Sequence, residues 1–154
     1  MNLNYTKGNP NAGLTPITSP WMHRIFEDRK IIKELIEKHG SPINLHHLTS
    51  FSENIDSFKK LFESHGLRHQ IYYARKANKS KSLVKQALEV GIGVDTASLK
   101  ELEQSLALGG TGKNLVLTSA IKTKEQYALA IGAQVPIVLD NEDECRQAQK
   151  VAEE

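Results

Sequence analysis

The chain has 154 residues, 39% hydrophobic and 25% charged, proportions that exclude a disordered or fibrous protein and fit one folded domain or a piece of a larger one. Twenty Lys and Arg against 18 Asp and Glu leave a formal net charge of +2, too balanced to predict a nucleic-acid or membrane partner. Cys145 is the single cysteine, so no internal disulfide can form, and no apolar run approaches the roughly 18 residues of a membrane span. A reducing, cytoplasmic setting is therefore expected.

Residues 1–18 read as a flexible N-terminal segment. Gly8, Pro10, Gly13 and Pro16 interrupt regular structure, and no apolar stretch suggests a signal peptide. A helix is predicted from Ser19-Pro20, a cap followed by a first-turn proline, to His39-Gly40. Trp21, Ile25, Ile32, Leu35 and Ile36 supply its apolar face. An extended piece, Pro42 to Leu48, follows. A second helix is predicted from Ser52 to His65, stopped by Gly66. Residues 19–66 thus form a helical lead-in with one extended segment.

From residue 67 the pattern becomes regular. Apolar, β-rich runs occur at 69–75, 92–97, 114–119 and 135–139, each followed by a helical pattern. With Tyr73, Val94, Val116 and Ile137 as centres, the spacings are 21, 22 and 21 residues, the signature of successive βα units in a parallel sheet. Helix-start signals agree: Ser98 with Glu101 and Thr123 with Gln126 form capping boxes, and Asn141 with Glu144 imitates one. The fold class is α/β. Four units cannot close an eight-stranded barrel, which takes roughly 200 residues or more, whereas a small doubly wound sheet could close at this length. The chain also stops inside a helical pattern at Val151-Ala152-Glu153-Glu154, which suggests truncation.

Most chemical motifs dissolve on inspection. Gly109-Gly110-Thr111-Gly112-Lys113-Asn114 lacks the first glycine and the final Ser or Thr of a phosphate loop, so a helix end and loop explain it. Gly91-Ile92-Gly93 lies at the wrong end of its strand for dinucleotide binding. The six histidines form no metal-ligand pair; His39 and His65 suit the last turns of helices. Cys145 sits among Glu142, Asp143 and Glu144, an environment that disfavours a thiolate. Lys76 is different. It stands at the C-terminal end of the first β-run, the edge where βα folds build active sites. Alternation places it on the side of Ala74 and opposite Tyr73 and Arg75. Neighbouring cations, Arg75 and Lys79, would favour a neutral, nucleophilic amine suited to Schiff-base chemistry. A solvated basic turn explains the same residues, and residue chemistry alone leaves both readings open.

Four blocks in order, YARKAN at 73–78, GIGVDTASLKELEQSLALGG at 91–110, LVLTSAIKTKEQ at 115–126 and IVLDNEDE at 137–144, resemble the fold type III pyridoxal-phosphate decarboxylases. These are the diaminopimelate, ornithine and arginine decarboxylases, whose barrel is alanine-racemase-like. The resemblance spans about residues 40–150, and the diaminopimelate branch is nearest in layout. It implies that residues 67–154 are the first half, four βα units, of a pyridoxal-phosphate-binding (β/α)8 (TIM-type) barrel. It further implies that Lys76 forms the internal aldimine with pyridoxal 5'-phosphate, that Asp95 lies beside that site, and that Ala74 lines the cofactor face. Arg75 departs from the family's apolar residue before the lysine, and His46-His47 replace an aromatic–acid pair. The family's phosphate loop, its stacking histidine, its pyridine-facing acid and its second domain come later in the chain. Its homodimer also shares catalytic residues between subunits. The expected function is decarboxylation of a basic or dibasic amino acid by a longer enzyme, of which this piece alone would be inactive. A racemase-like enzyme of the same fold type, a non-catalytic homologue and a small α/β binding domain are the alternatives.

Overall fold

The computed structural model describes residues 18–154, so nearly all of the predicted N-terminal segment lies outside the described residues. The chain divides into two compact units, one ending at Leu45 and the other running from His46 to Glu154.

The first unit holds α1 (Pro20–Glu27) and α2 (Arg29–His39), not the single helix expected across 20–39. Asp28 makes the break. It ends α1, and its Oδ1 accepts the amides of Lys30 and Ile31 at 3.1 and 3.2 Å, capping α2. A short carboxylate side chain that can satisfy orphan helix donors competes well with helix continuation. Neither helix has a fully buried residue; Trp21, Ile25, Ile32 and Leu35 are half-buried and line a groove of about 380 Å³ with Ile43 and Leu45. The expected extended run at 42–48 carries no strand, and Leu48 already belongs to the next helix.

The second unit begins with α3 (Leu48–Ser64), four residues earlier than predicted because His47 caps it: His47 Nδ1 accepts the Ser50 amide at 3.2 Å. Gly66, at φ 64°, allows the turn that ends it. Three parallel strands follow in the order β1 (Tyr72–Ala74), β2 (Gly93–Thr96), β3 (Leu115–Leu117). Helices α4 (Lys81–Glu89), α5 (Leu99–Ala107), α6 (Lys124–Gly132) and α7 (Glu142–Glu153) alternate with them. The predicted fourth strand shrinks to a parallel bridge between Leu117 and Ile137. Leu117 donates to the Pro136 carbonyl and Val138 to the Leu117 carbonyl, both at 2.9 Å, but Pro136 has no N–H to extend the ladder.

Register decides which residues share a face. Ala74 pairs with Asp95 and Asp95 with Val116, so these three lie abreast on one side of the sheet. The alternate residues Val94, Thr96, Leu115 and Leu117 are completely buried, packed with Val84, Ala87, Leu102 and Ala130 of the helices. Gly93 sits where a Cβ would come within 2.3 Å of the Tyr72 ring, so glycine lets that ring lie along β2. Gly112 is explained the same way, by backbone contact: a Cβ there would meet the Gln134 carbonyl oxygen at 2.0 Å. The 109–114 loop precedes β3, the edge remote from the strands' C-terminal ends, which agrees with its reading as a helix end.

Candidate functional site

Three chain crossings build the C-terminal edge of the sheet: residues 75–80 after β1, 97–98 after β2 and 118–123 after β3. The first carries Lys76. The strand ends at Ala74, and Arg75–Ala77 form a 3-10 turn closed by the Asn78 amide donating to the Arg75 carbonyl at 3.1 Å. Strand alternation therefore does not reach Lys76, contrary to expectation; the turn sets its position, and its side chain is exposed. The turn is held from several directions. Tyr73 donates its hydroxyl to the Asn78 carbonyl at 2.6 Å, Asn78 Oδ1 accepts the Ser80 amide at 3.0 Å, and Asn78 Nδ2 lies 2.8 Å from His46 Nε2. Burial pushes the Tyr73 hydroxyl pKa up, an effect the nearby Arg75 cation opposes.

The cations expected to crowd Lys76 are engaged elsewhere. Arg75 is completely buried against α5: Nη1 donates to the Glu101 carbonyl (2.6 Å) and Ser105 Oγ (3.1 Å), and Nη2 to Gln104 Oε1. Lys79 neither crowds Lys76 nor is simply solvated: it pairs across 3.5 Å with the Glu101 carboxylate while staying 72% exposed. Both positive charges are thus drawn toward the first turns of α5.

Asp95 and Ala74 are cross-strand partners, so the structure brings these two expected site residues together; Lys76 follows Ala74 by two residues. The Asp95 carboxylate is held by Thr118, whose hydroxyl donates to Oδ1 at 2.5 Å. Thr118 escaped the sequence reading, although it lies two residues beyond Val116 and so shares its face by alternation. Asp95 does not cap α5. Ser98 does, accepting the Glu101 amide at 3.3 Å, while Glu101 Oε2 takes the Ala97 amide at 2.9 Å instead of completing the expected box. The Thr123–Gln126 box is complete.

Farther along the edge, Lys122 is buried and donates to Glu144 Oε2 at 2.8 Å, an ion pair that joins the loop after β3 to α7. That hydrogen bond, with a second from the Asp140 amide, holds the Glu144 carboxyl below its ordinary pKa. Among the described residues, no group of three or more His, Cys, Asp or Glu could hold a metal ion, and no helix is long and apolar enough to cross a membrane.

A family model described as "Pyridoxal-dependent decarboxylase, pyridoxal binding domain" matches residues 48–154. The chain belongs to this family. The match begins close to the boundary of the second unit, and the family's cofactor is pyridoxal phosphate. An uncharacterized protein, y4yA, of Sinorhizobium fredii is 38% identical over 107 residues, covering 70% of this chain and 23% of that protein. The diaminopimelate decarboxylase of Bacillus subtilis is 31% identical over 121 residues, covering 73% of this chain and 28% of the enzyme. The crystal structure of diaminopimelate decarboxylase from M. jannaschi superposes with a TM-score of 0.66 at 27% identity, covering 78% of this chain and 29% of that one. This chain therefore spans less than a third of the length of these relatives.

The residues present fit the family's cofactor. An exposed primary amine stands just past the end of β1, and the small Ala74 and the half-buried Asp95 lie side by side on the adjoining sheet face.

Proposed function

We propose that this chain contributes the first four βα units of a (β/α)8 barrel in a pyridoxal-phosphate-dependent decarboxylase acting on a basic or dibasic amino acid, with Lys76 as the cofactor-binding lysine. The observation that carries this is the exposed Lys76 amine at the C-terminal edge of β1, next to the Ala74–Asp95 pair. In this reading residues up to 66 are the lead-in, residues 67–154 the half-barrel, and the complete enzyme is a cytoplasmic homodimer.

When bound, the cofactor supplies an electron sink for the charge left as the α-carboxylate departs. Everything else falls to the protein. Lys76 would hold the cofactor through its side-chain amine, a role that needs a mobile amine on a fixed backbone. The turn closed by Asn78 and braced by Tyr73 provides that fixed backbone. Ala74 leaves the sheet face flat enough for a planar ring to approach. Asp95, held by Thr118, places a carboxylate on that face, where it would orient the group that Lys76 holds.

The complete protein tests the reading. Incubation with pyridoxal phosphate should give an absorption band near about 420 nm, and borohydride followed by peptide mapping should find cofactor mass on Lys76. Substrate amino acids supplied one at a time should release carbon dioxide. A labelled Lys76 with racemised but intact amino acid would transfer the assignment to a racemase, and an unlabelled Lys76 would sink the reading.

A further inference from the structure

Arg75 is a side chain that the proposed chemistry leaves unused, and it is costly to keep. A guanidinium has five N–H donors and resists deprotonation, so burying one demands full hydrogen bonding. Here it is completely buried with no carboxylate in ion-pair range among the described residues, and its Nε has no partner. An apolar side chain would fill this site between sheet and helix more cheaply.

What the guanidinium does instead is join two pieces of backbone. Through Nη1 and Nη2 it links the turn carrying Lys76 to Glu101, Gln104 and Ser105 of α5. Glu101 is bound in turn to the segment after Asp95, because its Oε2 accepts the Ala97 amide at 2.9 Å. Its other oxygen takes Lys79, on the far side of the Lys76 turn. The first turns of α5 therefore grip the ends of β1 and β2 at once.

We infer that Arg75 is a positioning residue, whose tether to α5 sets where the Lys76 turn stands relative to Asp95. This rests on Lys76 being the cofactor lysine. The tether explains why a charged residue can occupy a position where an apolar one would pack: it replaces nonspecific packing with three directed bonds that fix the turn's orientation.

The test uses the complete protein and three variants. Arg75→Met keeps length and removes the donors, Arg75→Lys keeps charge without the fork, and Lys79→Ala removes only the exposed pair. In cofactor-free protein, hydrogen exchange across 73–79 should speed up about tenfold in Arg75→Met, less in Arg75→Lys, and stay at the wild-type rate in Lys79→Ala. In the holoenzyme, Arg75→Met should lose about tenfold or more in kcat with KM changed less than twofold, the mark of a misplaced reacting group rather than weakened binding. If Arg75→Met does not fold, Gln104→Leu, which removes one acceptor, should move exchange in the same direction to a smaller degree. A lower melting temperature with unchanged exchange at the turn and unchanged kcat would reduce Arg75 to a packing residue and overturn the proposal. Cofactor attached elsewhere than Lys76 would instead overturn the functional reading, and the cofactor-free exchange measurement tells the two failures apart.

Discussion

On the helix-covered face of the sheet, Val94, Thr96, Leu115 and Leu117 have no solvent exposure, whereas Ala74, Asp95, Val116 and Thr118 on the other face remain half-buried. Strands β2 and β3 supply the first set, and β1, β2, β3 and the residue just past β3 supply the second, by alternation. The first face is filled by interlocking side chains, where each methylene removed leaves a void. The second presents Ala74, Val116, a carboxylate and a hydroxyl, with the exposed Lys76 two residues beyond Ala74. In the proposed reading stability and chemistry fall on opposite sides of one sheet, and substitutions on the two sides should be separable by measurement.

The largest separation is expected between Lys76→Ala and Leu117→Ala in the complete protein. Removing Lys76 should abolish the cofactor band and lower turnover on the order of a thousandfold or more, the scale of losing a covalent-catalysis residue, with the melting temperature nearly unchanged. Truncating Leu117, completely buried, should cost about 2–5 kcal/mol in denaturant unfolding while turnover per folded molecule holds. A Lys76→Ala protein that keeps full activity would end the division at once.

A smaller effect is expected at Asp95. Asparagine keeps the shape and can still accept from Thr118, so Asp95→Asn should melt near the wild-type temperature, retain most cofactor, and lose roughly tenfold to a hundredfold in turnover, the lower range for a single positioned polar group. Because Ser98 already caps α5, a stability loss with intact turnover would be unexpected and would return Asp95 to a structural role. Thr118→Val should follow in the same direction, by a few-fold, since it removes one donor and leaves the charge.

The mildest test is one of pH, at the buried Lys122–Glu144 pair. The Glu144 carboxyl is held below its ordinary pKa first by the Lys122 hydrogen bond, so its folded form binds a proton less readily than its unfolded form. Its contribution is therefore fully present at neutral pH and is lost as pH falls from the ordinary carboxylate value, roughly 4.3, through the lower folded value. The melting-temperature gap between wild type and Glu144→Gln should be widest near neutrality and shrink on acidification below that value. A gap independent of pH would mean that packing, not charge, holds α7 to the Lys122 loop.

The βα repeat was readable because its signals are local. Apolar alternation, a 21–22-residue period and N-capping residues each act within one element, and β1, β2, β3 and the Ile137 bridge appear at the expected places. Lys76 at a strand end was legible for the same reason. Local pattern could also have exposed the Asp28 break, since Asp is a strong cap, and the early start of α3 at His47; continuous apolar periodicity concealed both. The fates of Arg75 and Asp95 were beyond sequence. Arg75 meets partners 26 to 30 positions away and Asp95 a partner 23 away, and both pairings depend on how neighbouring βα units come into register. The sequence by itself determined the βα succession from residue 67 onward and which strand end carries the lysine. Only the tertiary structure decided that one neighbouring cation is buried as a tether and another paired with Glu101, because hydrogen-bond geometry between distant segments exists only once the sheet and its helices have packed.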